Sequence, residues 1–279
     1  MAGVRRMITI EKFFGLAEIC IRVLLMPGHS KATIVSMAVV TVVITSLLHE
    51  GLGHGVTAWL RGDVVRELTS NHLDSVRRDR LVDAGGTIVN LVAGAICLFA
   101  SAFAHRVNTR YFLWFLGSVN LLLGAGYFLF SGVLGLGDWA DLIRGFPHAA
   151  PWRVGMAFLG AAFYFFFVRL IAITLHPFVP RRSDYNIVAR LPYLAACAFW
   201  CLAGAFDPLG FRLMLLSTIP ASFGGMSGLL WADSLIPGAK PEEELVVERS
   251  PIWWTVAIVL GCAFLLTVAR GIEFHQPQT

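Results

Sequence analysis

Apolar runs follow one another almost end to end, and they fix what this chain can become. Residues 32–60 carry Glu50 as their only formally charged side chain. Residues 84–104 and 111–137 contain no Asp, Glu, Lys or Arg, and residues 154–175 are broken only by Arg169. A shorter run covers 191–206, another at 213–232 contains Pro220 and a Gly-Gly pair, and 251–269 closes the set. A bilayer core about 30 Å thick takes about 20 apolar residues in a helix. The expected fold is therefore all-α, a polytopic transmembrane helical bundle of six to seven spans. The count turns on whether 191–206 and 213–232 form a tight hairpin through Asp207-Pro208 or one interrupted element. Composition agrees: the 279 residues are 57% hydrophobic and only 14% charged, where soluble domains are about 25% charged.

No Ser- or Pro-rich linker divides the runs, so residues 1–279 read as a single integral membrane domain. Within it, 1–31 is an N-terminal segment in which Glu11, Glu18 and Arg22 share one helical stripe beside Phe13, Phe14, Leu16 and Ile19. That pattern predicts a helix lying in the membrane interface, with a short span carrying a charged seam as the other reading. Arg5 and Arg6 precede an apolar stretch interrupted by Glu11 and Lys12, which does not suit a cleaved signal.

The net charge is +4, but the arginines cluster between apolar runs rather than along an aromatic-interleaved stripe, which argues against nucleic acid as a partner. Loop 61–83 holds Arg61, Arg66, Arg77, Arg78 and Arg80, against Arg106 and Arg110 in the next loop. The positive-inside rule makes the first loop cytoplasmic, as in a bacterial cytoplasmic membrane. Seven spans put Arg181, Arg182 and Arg190 on the opposite side. Glu242, Glu243, Glu244 and Glu248 read as a solvated loop, and Trp253 and Trp254 as interfacial. Cys20, Cys97, Cys197, Cys201 and Cys262 all lie in apolar stretches and imply no disulfide framework.

One hexapeptide does not belong in hydrocarbon without a reason. His49-Glu50-Gly51-Leu52-Gly53-His54 sits in the first full run, where an ionisable side chain costs about 2.5–3.5 kcal/mol and marks a functional candidate. Imidazole and carboxylate together suit Zn2+. Zinc-protease helices normally space their histidines four apart, with Glu after the first as general base. Here the separation is five, which on a regular helix spreads them by about 140°. A π-bulge at Gly51 and Gly53 would absorb the extra residue. The spelling also resembles the zinc helix of the dipeptidyl peptidase III family over these six residues.

A wider resemblance emerges when this hexapeptide is read with Ala84-Gly85-Gly86-Thr87-Ile88-Val89-Asn90 in the second run and Gly137-Asp138 after the third. Their order resembles the site-2 protease family of intramembrane zinc metalloproteases over about residues 34–143. The resemblance implies a catalytic core at 32–143 and additional transmembrane helices at 144–279. It also implies His49, His54 and Asp138 as zinc ligands, Glu50 as the base that activates a metal-bound water, and Asn90 as a polar contact to substrate or oxyanion. The substrate it implies is a transmembrane protein in the lipid bilayer, and the positive-inside reading puts the His/Glu motif nearer the cytoplasmic face. Where that family has an Asn- and Pro-rich approach ending Leu-Asp-Gly, this chain has Gly135-Leu136-Gly137-Asp138-Trp139, and Asp141 is a rival third ligand.

The same residues also fit a noncatalytic multi-pass protein, a transporter or pseudoprotease, that retains a metal site. Glu50 separates the two readings, because hydrolysis needs a base and metal transport mainly needs ligands. Gly85, Gly86, Gly124, Gly126, Gly132, Gly135 and Gly137 read as close backbone approach beside a cavity or as ordinary small-residue helix packing. His29, His72, His105, His148, His176 and His275 have no ligand partner in sequence, and Arg169 is expected to snorkel. Oligomeric state is not set by the sequence.

Overall fold

A computed structural model describes residues 28–77 and 79–274. Residues 1–27 of the N-terminal segment expected at the interface, Arg78 and His275 therefore lie outside the described residues. Seven helices are long and apolar enough to cross a membrane: α1 (Lys31–Leu60), α2 (Arg80–Ser101), α3 (Val107–Leu134), α4 (Ala149–Phe178), α5 (Arg182–Gly204), α6 (Gly210–Leu235) and α7 (Pro251–Arg270). The 191–206 and 213–232 runs thus form a hairpin, turning at Asp207.

Local chemistry sets the helix ends. Asp79 caps α2, its carboxylate accepting from the Leu81 amide at 2.8 Å, and Ser30 caps α1 through the Thr33 amide. Gly135, at φ 67°, ends α3 in the left-handed conformation that glycine adopts without strain. The fifth helix starts earlier than its apolar run. Its polar first turns are paired, Arg181 with Asp184 at 3.0 Å and Arg190 with Asp233 of α6 at 2.9 Å, so charge at the helix start is accommodated. Pro220 interrupts α6, and the helix widens into π turns at Met214–Thr218 and Pro220–Gly224 instead of breaking.

α3 is the most enclosed helix, packed between α2 and α4. Trp114, Phe115, Val119 and Leu122 from α3 share a core with Met37 and Val42 of α1, Ile171 and Leu175 of α4, and Tyr193 and Cys197 of α5. α4 and α7 instead display Phe158, Phe165, Phe166, Ile252, Ile258 and Val259 outward, the surface a lipid-facing helix needs. Polar side chains join helices where water is excluded: Asn120 donates to Thr45 at 2.9 Å, and Trp200 to Ser46 at 3.0 Å. Arg169 donates to the Leu235 carbonyl at the end of α6. Arg249 lies over the Trp254 ring, 4.9 Å from its centroid, at the start of α7.

A small sheet, which hydropathy did not foretell, fills loop 61–79. β1 (Val65–Leu68) pairs antiparallel with β2 (Leu73–Ser75), Leu68 opposite Leu73, with an irregularity between Val65 and Glu67. On its other edge β1 pairs with β3 (Ile272–Glu273) after α7. Alternation of seven spans places this sheet, the Asp138 loop and the Asp207 turn on one face of the bundle.

The hairpin tip is fastened to that turn. Asn71 donates to Asp207 at 3.3 Å and accepts from Thr218 of α6 at 3.0 Å. His72 Nδ1 lies 3.6 Å from the fully buried Asp207 carboxylate, and its Nε2 lies 3.4 Å from Glu67. Burial pushes the His72 imidazole down, but Asp207 together with Glu50 and Glu67 outweighs it and the net shift is upward from 6.5. Burial likewise pushes Asp207 up, and His72 with neighbouring donors brings it below its ordinary value.

A raised histidine contributes stability that is complete below its unfolded pKa and fades as pH rises through the folded one. A lowered aspartate contributes above its unfolded pKa and loses that contribution as pH falls through the folded one. The pair is therefore strongest in mildly acidic solution. Asp207→Asn is expected to lower the thermal midpoint at pH about 6, with a deficit that shrinks toward pH about 9. A deficit independent of pH would show that the two side chains do not pair as ions.

Candidate metal centre

The middle of α1 is not α-helical. Residues Leu47–Gly55 form a π segment, flanked by α-helix on both sides, and the Val56 amide bonds back five residues to the Gly51 carbonyl. Hydrogen bonds from i to i+5 stack residues five apart, so His49 and His54 come onto one face. Their rings meet edge to face with centroids 4.8 Å apart. The π geometry expected from the spacing is present, over Leu47–Gly55.

Both imidazoles are buried and held from outside. His54 Nδ1 lies 2.6 Å from the Val82 carbonyl. A carbonyl only accepts, so this nitrogen carries a proton, and in the neutral ring Nε2 keeps its lone pair. His49 Nδ1 lies 3.2 Å from the Asn90 side-chain amide of α2, and Tyr127 of α3 stacks on the ring at 4.9 Å with planes 17° apart. The two Nε2 atoms face each other at 3.2 Å. Gly135 and Gly137, both at positive φ, turn the chain after α3 so that Asp138 opens a short helix, Asp138–Leu142. Its Oδ2 lies 3.3 Å from His49 Nε2 and 3.6 Å from His54 Nε2. Thr87 reaches the same oxygen at 3.5 Å. Burial raises the Asp138 carboxyl, and the adjoining histidines outweigh that and hold it below its ordinary value.

Glu50 is buried, with a side-chain oxygen that can join His49 and His54 in one cluster whose ligand atoms lie within 4.8 Å of one another. Its Oε2 has no hydrogen-bond partner among the described residues. Buried carboxylate oxygens are seldom left so, and each such case calls for a chemical reason. Asp141, the rival to Asp138, is paired with Arg144. Asn90 is placed against His49, and its own Oδ1 is unpartnered.

The donor set passes a simple test. Ligands bonded to one tetrahedral zinc at about 2.0–2.2 Å are about 3.3–3.6 Å apart. The three separations among His49 Nε2, His54 Nε2 and Asp138 Oδ2 run from 3.2 to 3.6 Å. Two imidazole nitrogens and a carboxylate oxygen at such separations suit a borderline-soft dication.

The glycines of α2 let the helices close. A side chain at Gly53 would collide with the Gly86 backbone, and one at Gly85 with the Gly53 carbonyl. Outside the cluster a cavity of about 1280 Å³ is walled by α3, α6 and the β-hairpin and reached by His49, Glu50, His54 and Asp138. Tyr127, which hydropathy alone treats as one more core aromatic, lines it as well. No protein-family model, curated protein or solved structure matches the chain.

Proposed function

We propose that the chain is a membrane-embedded zinc-dependent endopeptidase of site-2 protease type that hydrolyses a peptide bond of a transmembrane protein. The observation that carries this reading is the convergence of two Nε2 atoms and one Asp138 oxygen next to a buried, half-unpartnered glutamate, all opening on a large cavity. His49, His54 and Asp138 would hold the metal. Zinc bound there supplies a Lewis acid that makes water nucleophilic near neutral pH.

The chain's own residues do the rest. Glu50 takes a proton from the attacking water as the oxygen adds to the scissile carbonyl carbon, and delivers it to the nitrogen as the C–N bond breaks. The Val82 carbonyl and the Asn90 amide hold the two imidazoles at Nδ1, so that each presents Nε2 inward. Such outer partners fix tautomer and ring orientation, and for Asn90 this requires its amide oxygen to face His49. The cavity, with polar hairpin residues on one wall and apolar α3 and α6 residues on the others, suits an unwound stretch of membrane helix together with water. The arginine-rich loop on the same face supports a site on the cytoplasmic side.

Metal analysis tests the reading first. The purified full chain is expected to hold about one zinc, and His54→Ala to lose at least tenfold in zinc affinity. A chelator should stop cleavage of a fluorogenic transmembrane peptide, and added zinc should restore it. Zinc-independent cleavage, or a wild type and a His54→Ala variant with equal zinc, would reject the assignment.

A further inference from the structure

The chain has five tyrosines, and four of them spend their hydroxyls on the backbone. Tyr111 donates to the Val188 carbonyl at 2.7 Å, Tyr164 to Gly225 at 2.9 Å, Tyr185 to Leu229 at 2.8 Å and Tyr193 to Phe223 at 3.0 Å. Each of these ties one helix to another, as a tyrosine in an apolar interior is expected to do. Tyr127 is different. Its ring lies flat on His49, it lines the large cavity alongside Glu50 and Asp138, and among the described residues its hydroxyl has no hydrogen-bond partner.

We propose that Tyr127 is a further catalytic residue, whose hydroxyl donates to the scissile carbonyl oxygen as that oxygen gains negative charge. This rests on the peptidase reading and deepens it. Addition of water oxygen to the carbonyl carbon moves the C=O electron pair onto oxygen, and a donor aimed at that atom stabilises the transition state more than the substrate. His54 Nδ1 is committed to the Val82 carbonyl, and the Asn90 side chain lies against His49 Nδ1. Tyr127 combines a donor without a protein acceptor with a ring fixed by stacking, so little reorganisation is needed when the charge appears. No proton leaves Tyr127; it is shared with the oxyanion and retained when the carbonyl re-forms.

Tyr127→Phe keeps the stacked ring and removes only the donor. For the full chain cleaving a fluorogenic transmembrane peptide in bicelles, the expected result is unchanged zinc content, nearly unchanged KM and a kcat lower by about 10²–10³-fold. Tyr127→Leu, which removes the stacked face as well, should lose zinc affinity in addition. Wild-type kcat in Tyr127→Phe would overturn the proposal while leaving the peptidase reading intact. Loss of zinc in Tyr127→Phe would also overturn it, because the hydroxyl would then be supporting the metal centre rather than the substrate. A zinc-loaded wild type without proteolytic activity overturns the peptidase reading and this proposal with it.

Discussion

Glu50→Gln is expected to retain about one zinc per chain and to lower kcat for cleavage of a transmembrane peptide by about 10²–10⁴-fold. Glutamine fills the same space in the π segment, so the packing around His49 and His54 is kept. It cannot take a proton from water or hand one to the leaving nitrogen. The buried setting makes the contrast clean: Glu50 is 5% exposed and its Oε2 has no partner among the described residues, so the substitution breaks no hydrogen bond at that atom. The outcome also separates the two functional classes that the sequence leaves open. A metal carrier needs ligands and is little affected by a neutral isostere beside them. Glu50→Gln with undiminished proteolysis would refute the role of base, and Glu50→Gln without zinc would make Glu50 a ligand. Isotope-dilution metal analysis and single-turnover kinetics on the same preparation read both quantities.

Hydropathy made the spans legible because each needs about 20 apolar residues, a signal too long to arise from a buried soluble helix. It failed where chemistry over a few residues decides. The start of α5 contains Arg182, Asp184 and Arg190, and it is helical because partners such as Arg181 and Asp233 neutralise the charges, which no window average reports. The sheet escaped for a different reason: β1, β2 and β3 have four, three and two residues, too few for alternation to register. The third strand comes from beyond α7, more than two hundred positions along the chain. Nothing near His72 in the sequence offers it a carboxylate at the Asp207 turn, which it meets across the hairpin-to-turn contact.

The site was legible to different depths. The five-residue histidine spacing itself demands a π turn if one ion is to be reached, and the turn is present. Asp138 came from resemblance alone, since nothing in its spacing from His54 says that a Gly135-Leu136-Gly137 turn brings it within 3.6 Å. Asn90 was expected near substrate or oxyanion; the structure places its amide at His49 Nδ1. Tyr127 gave no signal at all, because one aromatic in an apolar helix is indistinguishable from core until the hydroxyls of all five tyrosines can be compared.

Gly86→Ala is the substitution expected to empty the proposed metal centre without replacing any ligand. A Cβ at Gly86 would lie 2.5 Å from His54 Nε2 and 2.8 Å from His49 Nε2, and real Cβ atoms essentially never come closer than 3.0 Å to a heavy atom. One of the two imidazoles must rotate, or α2 must retreat from α1. Rotation gives up the 2.6 Å contact of His54 with Val82 or the 3.2 Å contact of His49 with Asn90. Retreat opens the Gly53–Gly85–Gly86 contact that brings the helices together. Overpacking of this kind costs about 1–3 kcal/mol in stability, whereas a metal site needs its ligand atoms placed within about 0.5 Å. Zinc affinity is therefore expected to fall at least 100-fold while the bundle still folds. Gly51→Ala supplies the control, since it lies in the same π segment and a Cβ there meets nothing within 4 Å. It removes a helix glycine and adds a methyl group just as Gly86→Ala does, yet it should keep its zinc. Equal zinc content in the two variants would mean that the space beside the Nε2 atoms is not where the ion binds.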